Sequence, residues 1–374
     1  MIQMIRKEPY RVAVWGAGDV GSVCIREALR RDDLSVVGAL VYNEKKDGLD
    51  IGTLVGKEPI GVRATRDVDA FLAIDCDVVL YTALDFPGGP AEQDFITLLK
   101  AGKNVVTSLP YNYLSYRCQE LKQAIESAAL EGGATFYASG VNPDFIGHRY
   151  VLLQTGLSNE VDSINIEEYF DCEDQENTGT LEIIGLGGDP NAAMDEQSPA
   201  LFYQRQYWFQ MIQQMADSMG VELSKIEAAC YSEPAPETIV TPCMAVEKGR
   251  VASVAYESIG YIGEKPFITM RVGWYLTELM KPKHVNGTTE WIITIEGRPS
   301  TRCVLEVAPS FLTDCKAIEG DPAAPGYFAF AVCLVQGIPA AVAHPPGVKQ
   351  TDLPPIHWRK DMRMITESNK HMYL

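Results

Sequence analysis

RVAVWGAGDVGSVCIREALR, residues Arg11 to Arg30, runs an apolar strand, Val12-Ala13-Val14-Trp15, straight into Gly16-Ala17-Gly18-Asp19-Val20-Gly21 and then into a helical segment with Val23, Ala28 and Leu29 on one side. A strand, a glycine turn and a helix in that order make a cradle for the diphosphate of a dinucleotide. Gly16 permits the tight turn and Gly18 lets backbone amides come up to phosphate oxygens. Gly21 allows the helix to lie close to the strand with its positive end toward the anion. Gly16, Ala17, Gly18, Asp19, Val20 and Gly21 are therefore the expected diphosphate contacts, and NAD or NADP the expected ligand.

Moving outward, Leu34 to Val41, Asp77 to Thr82, Asn104 to Ser108 and Thr135 to Ser139 read as further buried strands, the last of them closing the unit. Between them, Glu92 to Ala101 and Ser115 to Leu130 carry apolar residues at helical spacing. Short apolar strands alternating with helices predict an α/β fold with a parallel sheet covered on both faces. Beyond about residue 150 the pattern changes to half-buried strands: Val161 to Phe170, Val251 to Glu257, Phe267 to Tyr275 and Glu290 to Glu296, with a hairpin turn at Gly297-Arg298-Pro299. Ser198 to Met219 reads as a helix with a wide apolar face, and Gly326 to Ala343 as a final apolar helix stopped by His344-Pro345-Pro346-Gly347. The expected organisation is a dinucleotide-binding domain over 1–145, a substrate and dimerisation domain over 146–320, and a C-terminal helix and tail over 321–374 that returns to the first domain.

At 374 residues the chain has room for two cores. Its net charge of −18 argues against binding to nucleic acid or to anionic membranes, both of which need clustered Lys and Arg. No apolar run is read as approaching the ~20 residues of a membrane-spanning helix, and Met1 to Lys7 has no signal-peptide core, so a cytoplasmic protein is expected. The nine cysteines are scattered singly, as free thiols in a reducing compartment would be, and no spacing suggests a metal site.

In an NAD site a carboxylate near the end of the second strand, roughly twenty residues past the glycines, accepts hydrogen bonds from the ribose. Here that place reads Val41-Tyr42-Asn43, followed by Glu44, Lys45 and Lys46. With Asn43 in the carboxylate's place and two lysines after it, NADP is the expected cofactor; NAD is the alternative, with Glu44 on the ribose. Substrate and the reactive end of the cofactor gather beyond the carboxyl ends of the strands. Thr82, Ala83, Ser108 and Asn142 are the expected contacts there. Hydride transfer to C=O or C=N needs a proton donor, for which Tyr111, Tyr113 and His148 are the candidates. Pro110, Asp144, Tyr169 and the aromatic Tyr203, Tyr207 and Trp208 are candidate walls of a largely apolar substrate pocket.

Together, the glycine loop, the Asn104-to-Ser108 strand and loop, Gly140-Val141-Asn142-Pro143-Asp144-Phe145, Ile184-Gly185-Leu186-Gly187 and Ile338 to Gly347 resemble the dihydrodipicolinate-reductase-like group that contains diaminopentanoate dehydrogenase and the native amine dehydrogenases. The resemblance spans nearly the whole chain. It implies a Rossmann domain completed by C-terminal helices and a second α+β domain with a mixed or antiparallel sheet, supplying the pocket and homodimer contacts. It also implies NAD(P)-dependent chemistry at an amine or imine carbon. One departure stands out: where the amine dehydrogenases carry a glutamate that handles ammonia and the imine proton, this chain reads Ser108-Leu109-Pro110-Tyr111-Asn112-Tyr113, without a carboxylate. A tyrosine suits protonation of an alkoxide better than capture of an ammonium ion. Three readings follow: an NAD(P)-dependent oxidoreductase of a carbonyl, imine or amine; an amine dehydrogenase drawing its carboxylate from Asp144 or Glu168; or a nucleotide-binding protein without chemistry.

Overall fold

The computed structural model describes residues 8–86, 88–175, 178–190, 204–315, 317–353, 356 and 358. The chain divides into two compact units, Met1–Phe145 with Cys315–Thr351, and Ile146–Asp314 with Asp352–Leu374.

In the first unit six parallel strands line up as β14-β5-β4-β3-β1-β2. They are β1 (Tyr10–Trp15), β2 (Leu34–Leu40), β3 (Val78–Tyr81), β4 (Asn104–Thr107), β5 (Thr135–Ala138) and β14 (Gly347–Val348). From β1 the chain goes out to β2 on one side and crosses to β3 on the other, so the order reverses between β1 and β3. A crevice forms at such a reversal, beyond the carboxyl ends of the strands. One apolar face, with Val12, Val14, Leu80 and Val106, packs against the Asp19–Leu29 helix and against Ala331, Leu334, Val335, Ile338 and Ala341 of the Pro325–Ala343 helix. Ala13, Trp15, Val79, Tyr81, Val105 and Phe136 form the other face under the Ala91–Lys100 and Gln119–Gly132 helices.

Three expectations need correction. β5 does not close the sheet, because Gly347–Val348 adds a sixth strand beside it; two residues after a pair of prolines carry no strand pattern. The segment over 115–130 breaks at Cys118, whose extended backbone ends one short helix at Arg117 and whose Sγ accepts from the Leu121 amide to cap the next. Finally, the Pro325–Ala343 helix is by length and composition long and apolar enough to cross a membrane. In this fold its apolar side is spent on the sheet core, and Arg26 and Asp321, a buried ion pair at 2.6 Å, tie the turn before it to the Asp19–Leu29 helix.

The second unit is built on a six-stranded mixed sheet in the order β13-β12-β6-β11-β10-β7. The strands are β6 (Glu160–Asp171), β7 (Lys225–Pro234), β10 (Val251–Ile262), β11 (Lys265–Tyr275), β12 (Thr289–Arg298) and β13 (Thr301–Glu306), and a small hairpin adds β8 (Ile239–Val240) and β9 (Ala245–Val246). β11 and β6 pair in parallel and the other neighbours antiparallel. The Gln210–Ser218 helix lies against one face: a Cβ on Gly260 of β10 would meet the Ile212 side chain at 2.6 Å. On the opposite face β6 presents Asn165, Glu167 and Tyr169, with Thr269, Arg271 and Gly273 of β11 beside them in register.

Candidate functional site

The carboxyl ends of β1 and β3 are locked together by small residues. Gly16 has φ +97°, and a Cβ there would come within 2.8 Å of the Ala83 amide nitrogen. At Gly21 a Cβ would stand 2.3 Å from the Gly16 carbonyl oxygen and 2.7 Å from Thr82 Oγ1. Thr82 Oγ1 itself donates to the Gly16 carbonyl at 2.7 Å. Thr82 and Ala83 therefore hold the turn from beneath. Gly18 differs from its neighbours: no atom lies within 4 Å of where its Cβ would be, and as N-cap of the Asp19–Leu29 helix it brings no side chain to the first-turn amides. Backbone N–H groups at a helix start, uncapped and under open space, are what an anionic diphosphate requires. The residues present fit the expected dinucleotide.

Past β2, Asn43 Oδ1 accepts from the Lys45 amide at 2.9 Å and so shapes the turn Glu44–Lys46. This turn brings Lys46 back over the glycine loop, where Nζ donates to the Ala17 carbonyl at 2.9 Å. Lys45 and Glu44 are exposed. Tyr42, also exposed, accepts from Trp15 Nε1 at 2.8 Å.

The loops after β4 and β5 meet where a Cβ on Gly140 would lie 3.4 Å from Ser108 Cα, and Ser108 is half-buried there. Tyr111, two per cent exposed, packs edge-on against Phe95 with the Arg117 guanidinium over its ring at 3.9 Å, and its hydroxyl donates to Asp85 at 3.1 Å. Burial pushes the phenol of Tyr111 upward, and burial raises the Asp85 carboxyl too. Tyr113 is half-buried. Pro110 is buried, with its carbonyl accepting from Arg117 Nη2 at 2.7 Å, and Asn142 is buried as well. Asp144 is wholly buried: Oδ2 accepts from Ser139 at 3.3 Å and Oδ1 from Thr351, which ties the returning C-terminal segment to the β5 loop. Both its oxygens thus accept from residues of the first unit.

In the second unit His148 is buried, four per cent exposed, with Nε2 3.1 Å from Ser218 Oγ on the Gln210–Ser218 helix. Desolvation, helped by the neighbouring Arg149 charge, pushes its pKa down to about 4. At ordinary pH the ring is therefore held in its neutral form. Glu168 is also internal, accepting from Trp291 Nε1 at 2.7 Å. Trp208 is buried and Tyr207 half-buried, their rings 5.6 Å apart, while Tyr203 lies outside the described residues.

Tyr169 has companions the sequence reading passed over. Its hydroxyl donates to Glu167 Oε2 at 2.7 Å, Asn165 Nδ2 donates to Glu167 Oε1 at 3.0 Å, and His284 Nε2 lies 3.0 Å from the Tyr169 oxygen. Alternation along β6 could have exposed Asn165, Glu167 and Tyr169 as one face. Nothing in the sequence marks His284, 115 residues away in a loop.

Residues 10–106 match the family model for the N-terminus of dihydrodipicolinate reductase. Along 344 residues, 90% of this chain and 93% of the relative, the sequence is 28% identical to an amine dehydrogenase of Streptomyces virginiae. Among solved structures, the amine dehydrogenase from Mycobacterium smegmatis is similar with a TM-score of 0.74 at 18% identity, covering 95% of this chain and 98% of that one. The biliverdin reductase from Synechocystis, solved with biliverdin and NADP+, has a TM-score of 0.50 at 15% identity, covering 89% of this chain and 90% of the other.

Proposed function

From a chain whose residues 10–106 match the N-terminus of dihydrodipicolinate reductase and that is similar to an amine dehydrogenase along 90% of its length, we propose an NAD(P)-dependent oxidoreductase that uses NADP and moves a hydride to or from the carbon of an amine, imine or carbonyl on a small to medium, largely apolar substrate. The observation that carries the reading is the glycine turn at the β1/β3 reversal, with an uncapped helix start under open space at Gly18. When bound, the nicotinamide supplies or accepts the hydride.

The chain's own residues do the rest. First-turn amides after Gly18 hold the diphosphate, and Thr82 and Ala83 keep the turn rigid beneath it. Lys46 supports the NADP preference: anchored on the Ala17 carbonyl, it puts a cation on the adenosine side of the loop, where NADP carries a phosphate and NAD a hydroxyl. Of the two candidate tyrosines, the half-buried Tyr113 is the better proton donor, since Tyr111 is two per cent exposed, packed in the core. The reading further takes the protein to be cytoplasmic, and homodimeric as its resemblance implies.

Calorimetric titration of the purified chain with NADPH and NADH tests this. NADPH should bind at least tenfold more tightly than NADH, and Lys46→Ala should remove most of that preference while leaving NADH affinity within about twofold. Heat with neither coenzyme would refute the proposal.

A further inference from the structure

Two carboxylates of the second unit, Glu290 of β12 and Glu306 of β13, stand opposite each other in strand register, so both point to the sheet face that carries Tyr169. Like charges in that relation repel. Glu290 is wholly buried: its Oε2 accepts from the Asn286 and Gly287 amides at 3.2 and 3.0 Å, while Oε1, buried as well, has no hydrogen-bond partner among the described residues. An unmatched oxygen on a buried carboxylate is costly, and a bound cation offsets the cost.

The two side chains converge on Gly287. Glu290 holds its amide, and Glu306 covers its α-carbon so closely that a Cβ there would meet Glu306 Cγ at 2.6 Å and Oε1 at 2.8 Å. Gly287 is itself fixed: its carbonyl accepts from the Tyr275 hydroxyl at 3.4 Å, and the next carbonyl, of Thr288, from the Asp171 amide at 2.8 Å. No basic side chain of the described residues forms an ion pair with either carboxylate. Lys281 Nζ donates to the Asn286 carbonyl at 2.8 Å and pairs with Glu278 at 3.2 Å. Across the trans peptide from Asn286 to Gly287 that carbonyl points away from the N–H that Glu290 takes, so the ammonium lies on the far side of the peptide. His284 stands 3.5 Å from Glu167. Glu306 is half-buried, which leaves a way in from solvent.

The donors gathered here are oxygens alone. Among the described residues no group of three or more His, Cys, Asp or Glu is placed to hold a metal ion, which argues against a transition metal. Ca2+ accepts carboxylate and carbonyl oxygens and water in flexible geometry. We propose that Glu290 and Glu306 together bind Ca2+, and that the ion pins the Lys281-to-Thr288 loop onto the sheet. The site lies wholly within the second unit and stands independently of the dinucleotide reading.

The test uses the full chain after treatment with EDTA, its thermal midpoint read in CaCl2 and in NaCl of matched ionic strength. CaCl2 at about 5 mM should raise the wild-type midpoint by roughly 3 °C or more, and the matched NaCl by less than about 1 °C. Glu306→Gln should abolish the Ca2+ response. Without Ca2+ this variant should melt no lower than wild type, since it removes one of two repelling charges, whereas a merely structural role for Glu306 would lower its midpoint in both salts. Calorimetric titration with CaCl2 should show binding to wild type and none to Glu306→Gln. An equal midpoint rise in CaCl2 and NaCl, or an undiminished Ca2+ response in Glu306→Gln, overturns the proposal. The wild-type salt comparison decides alone if the variant does not fold.

Discussion

Tyr111 and Tyr113 stand two positions apart in one loop, yet the fold gives them different surroundings. The Tyr111 ring fills the core between Phe95 and the Arg117 guanidinium, with its hydroxyl on Asp85. Tyr111→Phe should therefore cost about 1 kcal/mol of stability, the usual net worth of a buried hydrogen bond, and leave turnover within about twofold. Tyr113→Phe should lower turnover by about a hundredfold with NADPH affinity unchanged, the effect expected for loss of a positioned proton donor. Steady-state oxidation of NADPH across a panel of ketones and imines, together with urea unfolding, checks both; a Tyr113→Phe protein with full turnover would place the donor elsewhere. The sequence could nominate these two residues because tyrosine chemistry is a property of the residue type. It could not rank them, since only packing decides which ring is sealed in the core and which stays half-buried.

The strand, turn and helix from Tyr10 to Leu29 work as one device, in which the two glycines of the turn's second half serve different ends. A methyl group at Gly21 would press on the Gly16 carbonyl, a backbone atom with nowhere to go, and force the helix off the strand. Gly18→Ala meets nothing in the protein at a φ of −87°, which any residue tolerates. Gly21→Ala should lower the thermal midpoint by several degrees and weaken NADPH together, whereas Gly18→Ala should keep the midpoint within about a degree and still weaken NADPH about tenfold or more. Equal NADPH affinity in Gly18→Ala and wild type would remove the diphosphate from that space. This element was legible because its glycines serve contacts only a few residues apart. The sixth strand was not: Gly347–Val348 is a strand only because β5 offers it an edge.

For the folded molecule, His148 links stability to pH. Its folded-state pKa of about 4 lies below the ordinary 6.5, so on acidification the unfolded chain takes up the proton first. The stability associated with the neutral ring is intact above about pH 6.5 and is lost as pH falls toward 4, by about 3 kcal/mol in all. Urea unfolding between pH 7 and 4.5 should show a steeper decline for wild type than for His148→Gln, and parallel declines would assign the acid sensitivity to the carboxylates instead. The sequence could not show the protonation state of His148, because burial, the quantity that sets it, belongs to the packed unit.

The alternation of strands and helices, the glycine turn and the change of rhythm near residue 150 could all be read from the chain, since each depends on spacing between near neighbours. Which polar side chains are spent on the fold and which are left for chemistry could not. Asp144 is satisfied by a threonine 207 positions later, and Glu167 is joined through Tyr169 to a histidine from a distant loop. Such groups acquire their partners, and with them their charge and availability, only when remote segments are brought within hydrogen-bond distance and water is excluded.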